Sequence, residues 1–314
     1  MRIASYNVEN LFERAKALEP STWNVGAPIL AAHAEINALF NELDYTDEIK
    51  KRILELLEVL GLLRADSAAL AELRVIRGKL LLRHRDGTVE VAARGRAGWI
   101  GWVELKTEVV DELAMRHTAM VMRDLQADIL GVVEADSRPT LQMFSTAELS
   151  AIPHGVPFAH CLLVDGNDPR GIDVGLLTRE DFEVTSIRTH IFDEDDDGVI
   201  FSRDCCEYHL EAPDHSPLVV LMNHFKSKGY GSPDDKTGAK RRLRQSTRVA
   251  SIYESLKARG LSQVVVLGDL NDTPDSDSLK PLLQGTDLRD ISTHDKFDWA
   301  GRQGTFGGTK EKID

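Results

Sequence analysis

Three cysteines in 314 residues are too few for a disulfide framework. Cys161 stands alone, and the neighbours Cys205 and Cys206 have a spacing that rarely bridges, so reduced, packed thiols in a cytoplasmic protein are expected. Long apolar runs are lacking too. None approaches the roughly 18–20 residues needed to cross a bilayer, and Met1-Arg2-Ile3-Ala4-Ser5-Tyr6 reads as a strand, not as the basic segment and apolar core of an export signal. No membrane partner is expected. Positive charge is in deficit: 38 Lys+Arg stand against 51 Asp+Glu, a net charge of −13. That argues against indiscriminate coating of nucleic acid, which needs a surplus of cations facing phosphates. No Cys/His cluster has zinc-ligand spacing, and no internal repeat or low-complexity segment stands out beyond the acidic run Asp193 to Asp197. What remains, 42% hydrophobic and 28% charged residues, is ordinary globular composition.

From Gln126 onward, short apolar runs alternate with loops and helical stretches: Ala127 to Val133, Val174 to Thr178, Leu218 to Met222 and Val264 to Leu267. Runs bounded by polar punctuation read as strands buried on both faces. Thr107 to Leu125 reads as a helix capped by Thr107, with Val110, Leu113, Ala114, Val121 and Leu125 near one face. The stretch from about 21 to 106 breaks this rhythm. Asp47 to Leu60 has helical spacing and stops at Gly61, while Leu80 to Arg85 and Thr88 to Ala92 flank an Asp86-Gly87 pair that reads as a two-residue hairpin turn. One domain with a helical-plus-hairpin insertion at about 21–106 is the expected organisation.

Four strand ends carry chemistry. Ile3, Ser5, Asn7 and Glu9 share a face of the first strand, which puts an amide beside a carboxylate at its carboxyl end. The run Ala127 to Val133 ends in Glu134. Leu218 to Met222 ends in Asn223-His224, followed by Lys226 and Lys228, and Val264 to Leu267 leads to Asp269-Leu270-Asn271, where period-2 geometry points Asp269 and Asn271 to one side. Singly, each group is as readily a turn former or a solvated strand end; four together favour a site, because ligands collect at strand ends in open α/β sheets. Carboxylates with an amide suit Mg²⁺ or Mn²⁺. A histidine and lysines beside such a cation suggest phosphate ester hydrolysis.

With Ser5-Tyr6-Asn7-Val8-Glu9-Asn10, Ala127 to Glu134, Arg170-Gly171-Ile172-Asp173-Val174, Asn223-His224-Phe225-Lys226-Ser227 and Gly268-Asp269-Leu270-Asn271-Asp272-Thr273-Pro274 in this order, the sequence resembles the endonuclease/exonuclease/phosphatase superfamily, the deoxyribonuclease I-like proteins. The last motif is the most specific, and the insertion is unmatched. The resemblance implies a four-layer α/β sandwich of two face-packed mixed β-sheets with the site at one edge. It implies that Asn7, Glu9 and Glu134 hold the metal, that Asp269 orients or deprotonates the attacking water, and that Asn271 positions water and phosphate. His224 would contact the phosphate and assist the leaving group, Arg170 would stabilise phosphate charge, and Asp314 would orient a second catalytic histidine; Lys226, by its place just after His224, is expected to bind phosphate as well. The family supplies that histidine in a later Ser-Asp-His motif, which occurs nowhere in these residues. A shortened version of a longer protein, lacking its C-terminal strands, is therefore expected.

Lys226 to Arg248 holds eight basic residues against Asp234 and Asp235, which reads equally as a solvated helix face or as phosphate attraction. Arg74 to Arg96 is also basic. Asp193 to Asp204 has the oxygen spacing of a calcium loop, but strand-like flanks favour an acidic hairpin. The expected activity is a metal-dependent phosphodiesterase, first of all a nuclease, acting on nucleic acid or a small phosphorylated substrate. A phosphomonoesterase or lipid phosphodiesterase on the same scaffold, or a catalytically silent binding protein, remain as alternatives.

Overall fold

A computed structural model describes residues 1–8, 15–18, 23–107, 112–168, 171–228, 234–298, 304–305 and 311–313. In chain order the elements are β1 (Ile3–Asn7), α1 (Trp23–Leu39), α2 (Asp47–Val59), β2 (Ala71–Gly78), β3 (Leu81–Arg83), β4 (Val89–Val91), β5 (Trp99–Leu105), α3 (Glu112–Leu125) and β6 (Ile129–Ala135). They continue with α4 (Arg138–Thr146), α5 (Glu148–Ala151), β7 (His160–Val164), β8 (Asp173–Thr178), β9 (Glu183–Arg188), β10 (Glu194–Asp195), β11 (Gly198–Val199) and β12 (Cys205–Glu211). The last are β13 (Pro217–His224), α6 (Ala239–Ala258), β14 (Val264–Asp269) and α7 (Lys280–Leu283). The chain divides into two compact units, residues 1–12 with 111–314, and residues 13–110.

The larger unit has four layers. One sheet has the order β1-β6-β8-β7, with β1 and β6 parallel and the other pairs antiparallel. The other runs β14-β13-β12-β9, with β13 and β14 parallel. Side chains alternate as strand geometry demands. Ile129 and Val133 of β6, Val174 and Leu176 of β8, Cys206, Tyr208 and Leu210 of β12, and Leu218, Val220 and Met222 of β13 share the core between the sheets. Their neighbours turn outward: Leu130 and Val132 pack with Ala119 and Met122 of α3 and Leu141 and Phe144 of α4, while Val219 and Leu221 pack with Val249, Ile252 and Tyr253 of α6. At Gly131 a Cβ would stand 2.5 Å from Met222 Sδ and 2.7 Å from Leu267 Cδ2, so glycine lets the sheets close there. All three cysteines are free and buried.

Some local expectations need correction. Thr107 forms an isolated bridge with Ala15, the first turn expected after it lies outside the described residues, and described helix begins at Glu112. The buried side of α3 carries Thr118, Ala119 and Met122, whereas Leu113, Ala114 and Val121 are exposed and Val110 lies outside the described residues. Two apolar stripes share this helix, and the one with the small Ala119 lies against the sheet. β6 runs two residues past Val133, so Glu134 sits on the strand, not after it.

The smaller unit encloses its own core of Ile29, Ile36, Phe40, Ile53, Leu57, Leu73, Trp99 and Val103. Thr46 caps α2 by accepting from Ile49 N, and Gly61, with φ +71°, follows its C-cap. β3 and β4 form the expected hairpin, but Arg83 pairs with Val89 and His84 N–H donates to Thr88 O, so the loop has three residues, Arg85-Asp86-Gly87. Asp86 Oδ1 accepts from Thr88 N at 2.9 Å, and Gly87, with φ +90°, closes the turn. Arg83 donates to the carbonyls of Leu62 and Leu63 and pairs with Asp66 at 2.7 Å, so it ties down the loop after α2. Among the described residues no helix is long and apolar enough to cross a membrane.

Candidate functional site

The parallel pair β1–β6 ends with Asn7 opposite Val133, one residue before Glu134. In the facing sheet the parallel pair β13–β14 ends with His224 opposite Asp269. The sheets meet at these carboxyl ends. Asn7 Nδ2 approaches Asp269 Oδ2 at 3.4 Å, and His224 Nε2 lies 3.9 Å from Glu134 Oε1. His224 and Asp269 are buried, and Glu134 is partly open to solvent.

The backbone is unusual at three of these points. Glu134 has φ +66° and occupies a register shift between Val133 and Ala135, so a bulge turns its carboxylate out of the regular alternation. Asn271 has φ +54°; its N–H donates to Asp269 Oδ1 at 2.8 Å and its Nδ2 to Phe225 O at 3.2 Å. Gly268 has φ +127°, and a Cβ there would lie 1.9 Å from Asn223 O, so only glycine lets β14 approach β13 at this point. Left-handed φ costs a residue with a side chain about 1–2 kcal/mol, and such strain gathers where function fixes a side chain.

Asn7, Glu134, His224, Asp269 and Asn271 are thus brought together. Lys226 follows two residues after His224; its N–H donates to Gln245 Oε1 at 2.9 Å and its carbonyl accepts from Arg242 Nη1 at 2.8 Å. Glu9, Arg170 and Asp314 lie outside the described residues. Nearby, Ile313 is buried and its carbonyl accepts from Leu270 N–H at 2.9 Å, so this residue lies beside the end of β14 without forming a strand.

Asp173, opposite Ala135 at the start of β8, is a further buried acid. Burial pushes its carboxyl up to about 7, helped by Asp165, Asp168 and Asp136 and opposed by the hydrogen bond from Gly166 N. Arg203 pairs with Asp168 at 3.0 Å, both buried, in the same region.

The basic run is largely consumed inside the fold. Arg242 is buried on Asp272 at 2.8 Å, Arg244 pairs with Asp195, Arg248 pairs with Asp193 at 2.7 Å, and Arg241 donates to the carbonyls of Val199 and Ile200. These contacts also decide the acidic run. Asp193 and Asp195 are ion-paired, the run forms the short hairpin β10–β11, and Asp204 Oδ1 accepts from His190 N at 2.7 Å, so the calcium-loop reading gives way to the acidic hairpin. Sequence reading treats Arg242 as one of eight cations and passes over Gln245. An Arg and a Gln three residues apart in an otherwise core-facing stretch of helix were the available signal.

Among the described residues no group of three His, Cys, Asp or Glu side chains is arranged to hold a metal. The donors at the junction are oxygens: the Glu134 carboxylate, the Asp269 carboxylate and the Asn7 amide, whose Nδ2 is engaged and whose Oδ1 is the metal-competent atom. Such a set suits a hard cation that keeps several of its waters.

No curated protein matches the chain. Among solved structures it is similar to truncated TDP2 of Caenorhabditis elegans (16% identity, 51% of this chain and 56% of that one, TM-score 0.37). It is also similar to the human Nocturnin catalytic domain with bound sulfate (15%, 53% and 60%, 0.39) and to a mannosyl-6-phosphatase of Bacteroides thetaiotaomicron (16%, 55% and 61%, 0.40). The chain spans less than two thirds of the length of each. The profile of the Endonuclease/Exonuclease/phosphatase family matches residues 95–299, well over half of the sequence and including Glu134, His224, Asp269 and Asn271, and the chain belongs to that family.

Proposed function

We propose that this chain is a divalent-metal-dependent hydrolase of phosphate esters, acting on a phosphodiester and first of all on nucleic acid. The observation that supports it is the meeting of Asn7, Glu134, His224, Asp269 and Asn271 where two sheets end together. Asn7 and Glu134, with Glu9 by resemblance, would hold Mg²⁺ or Mn²⁺. When bound, that ion neutralises negative charge growing on the phosphoryl oxygens.

The protein's own groups divide the remaining work. Asp269 accepts from Asn271 N–H on one oxygen and faces Asn7 Nδ2 with the other, so its carboxylate is fixed where it takes a proton from water. Asn271 positions that water and the phosphate. His224 contacts the phosphate and assists the leaving group, and Lys226 and Arg170 add positive charge. Asp314 keeps the orienting role the resemblance gives it. A small phosphorylated substrate is the second reading, supported by the engagement of Arg241, Arg242, Arg244 and Arg248 within the fold, which leaves them poorly placed to track a long polyanion.

Calorimetric titration with Mn²⁺ tests the metal site. Glu134→Ala is expected to weaken binding roughly tenfold or more, since even outer-shell losses cost that much; unchanged affinity removes Glu134 from the site. Asp269→Asn is expected to keep the thermal midpoint and lose turnover of bis-p-nitrophenyl phosphate. Wild-type turnover in that variant would refute its role.

A further inference from the structure

The segment leaving β13 carries His224 and Lys226, and every main-chain polar group of Phe225 and Lys226 is held from outside the segment. Phe225 N donates to Asp269 O at 2.9 Å, and Phe225 O accepts from Asn271 Nδ2 at 3.2 Å. Lys226 is gripped on both sides by one helix: Gln245 Oε1 takes its N–H at 2.9 Å and Arg242 Nη1 gives to its carbonyl at 2.8 Å. Arg242 and Gln245 lie three residues apart on α6, share a face, and are almost wholly buried.

Arg242 does more than close one bond. Its Nη1 also donates to Thr237 O at 2.9 Å, and its Nε donates to Asp272 Oδ2 at 2.8 Å. Asp272 directly follows Asn271, so one guanidinium joins the Lys226 peptide to the turn carrying Asp269 and Asn271. Burial alone would push the Asp272 carboxyl up, but the Arg242 hydrogen bond and the charges of Arg242 and Lys228 hold it below the usual carboxylate range. The Lys226 stem has a slot of its own. At Gly238, the residue before α6, a Cβ would stand 2.9 Å from Lys226 Cγ and 3.1 Å from Arg242 Nη1.

A buried arginine serving only as glue needs partners of any kind. This one shares the main chain of a single residue with a glutamine, close to the proposed catalytic histidine, and together they fix the direction in which residue 226 leaves the main chain. We propose that Arg242 and Gln245 are positioning residues that fix the Lys226 main chain, and with it the ammonium, for contact with substrate phosphate. The inference rests on the reading of the site given above and adds to it the means by which the lysine is placed.

The test is a double-mutant cycle read as affinity for inorganic phosphate, by calorimetry in Mg²⁺ buffer, so that no turnover is needed. Lys226→Ala is expected to weaken phosphate binding about tenfold, the value of one charge-assisted hydrogen bond. Gln245→Leu, which keeps the volume and removes the acceptor, is expected to weaken it about three- to tenfold, and the double variant should bind no worse than Lys226→Ala. Gln245→Glu restores an acceptor for Lys226 N–H and is expected to return affinity to near the wild-type value. Arg242→Lys keeps the charge but cannot reach Asp272, Lys226 and Thr237 together, and is expected to behave like Gln245→Leu. Wild-type affinity in Gln245→Leu or Arg242→Lys, additive losses in the double variant, or failure of Gln245→Glu to restore binding would each overturn the positioning role while leaving the site intact. If the wild type takes up no phosphate, or Lys226→Ala binds it unchanged, the phosphate site itself is refuted and the positioning role falls with it.

Discussion

Asp173→Asn is expected to stabilise the protein, by an amount that grows with pH. The buried carboxyl of Asp173 titrates near 7 in the folded chain, pushed up first by burial and then by Asp165, Asp168 and Asp136, against an ordinary value of 3.8. Between those two values the unfolded chain has released this proton while the folded chain still holds it. Stability therefore falls as pH rises through the window, and above about pH 7 the whole cost is present. At 1.36 kcal/mol per unit, that cost is roughly 4 kcal/mol at pH 8 and roughly 1.7 kcal/mol at pH 5. Asparagine has the same shape, and its Oδ1 can still accept from Gly166 N–H, the 2.7 Å bond that opposes the shift, so the substitution removes charge and little else. Urea unfolding of both proteins at pH 5 and pH 8, with a chelator present, isolates the effect, because groups outside this acidic cluster titrate alike in the two. The stabilisation should be roughly 2–3 kcal/mol larger at pH 8 than at pH 5. An equal difference at both pH values, or a variant less stable than the wild type at pH 8, would show that Asp173 ionises normally in the fold and would refute the reasoning.

Glu207 should do the opposite. Burial by itself pushes its carboxyl up, but hydrogen bonds from His190 and His209 and their charges outweigh it and hold the group at about 2. The resulting stability, up to roughly 3 kcal/mol, is complete above pH 4.5 and lost as pH falls toward 2. Glu207→Gln is accordingly expected to cost more at pH 6 than at pH 3 in the same urea assay. A third change probes the close approach at the site: Gly268→Ala places a methyl 1.9 Å from Asn223 O at φ +127°, and a loss of about 2–5 kcal/mol is expected. A melting temperature equal to the wild type would mean that β13 and β14 do not close in this way.

Of the four site-bearing strands β1 was legible as an alternating strand and the other three as short apolar runs ending in polar groups, and period-2 alternation carries the same information as the observed cores: Val219 and Leu221 toward α6, Val220 and Met222 toward the facing sheet. The bulge at Glu134 was not legible, since Val132-Val133-Glu134-Ala135 contains no glycine or asparagine to announce a positive φ. α3 misled for another reason. Leu113 and Val121 are as apolar as Met115 and Met122, and only the sheet decides which stripe is covered. The basic run between Lys226 and Arg248 looked like a surface because charge carries no label for its partner; Asp193, Asp195 and Asp272, which neutralise much of it, lie 30 to 55 residues away along the chain. Likewise Arg83, one of a string of cations, spends its guanidinium on the carbonyls of Leu62 and Leu63.

The pairing of β1 with β6 bears on the order in which parts of this protein can fold during synthesis. β1 leaves the ribosome more than a hundred residues before its hydrogen-bonding partner at Ile129–Ala135. At ordinary synthesis rates that is a wait of roughly 6–25 s for a strand whose partner has not yet been made. Residues 13–110, which form a compact unit with their own core, have time to fold within that interval. Asn7 then waits for Asp269, a partner 262 residues further on. The site therefore assembles only once Asp269 has been made, and until residues 129–135 emerge the nascent chain exposes β1 as an open edge.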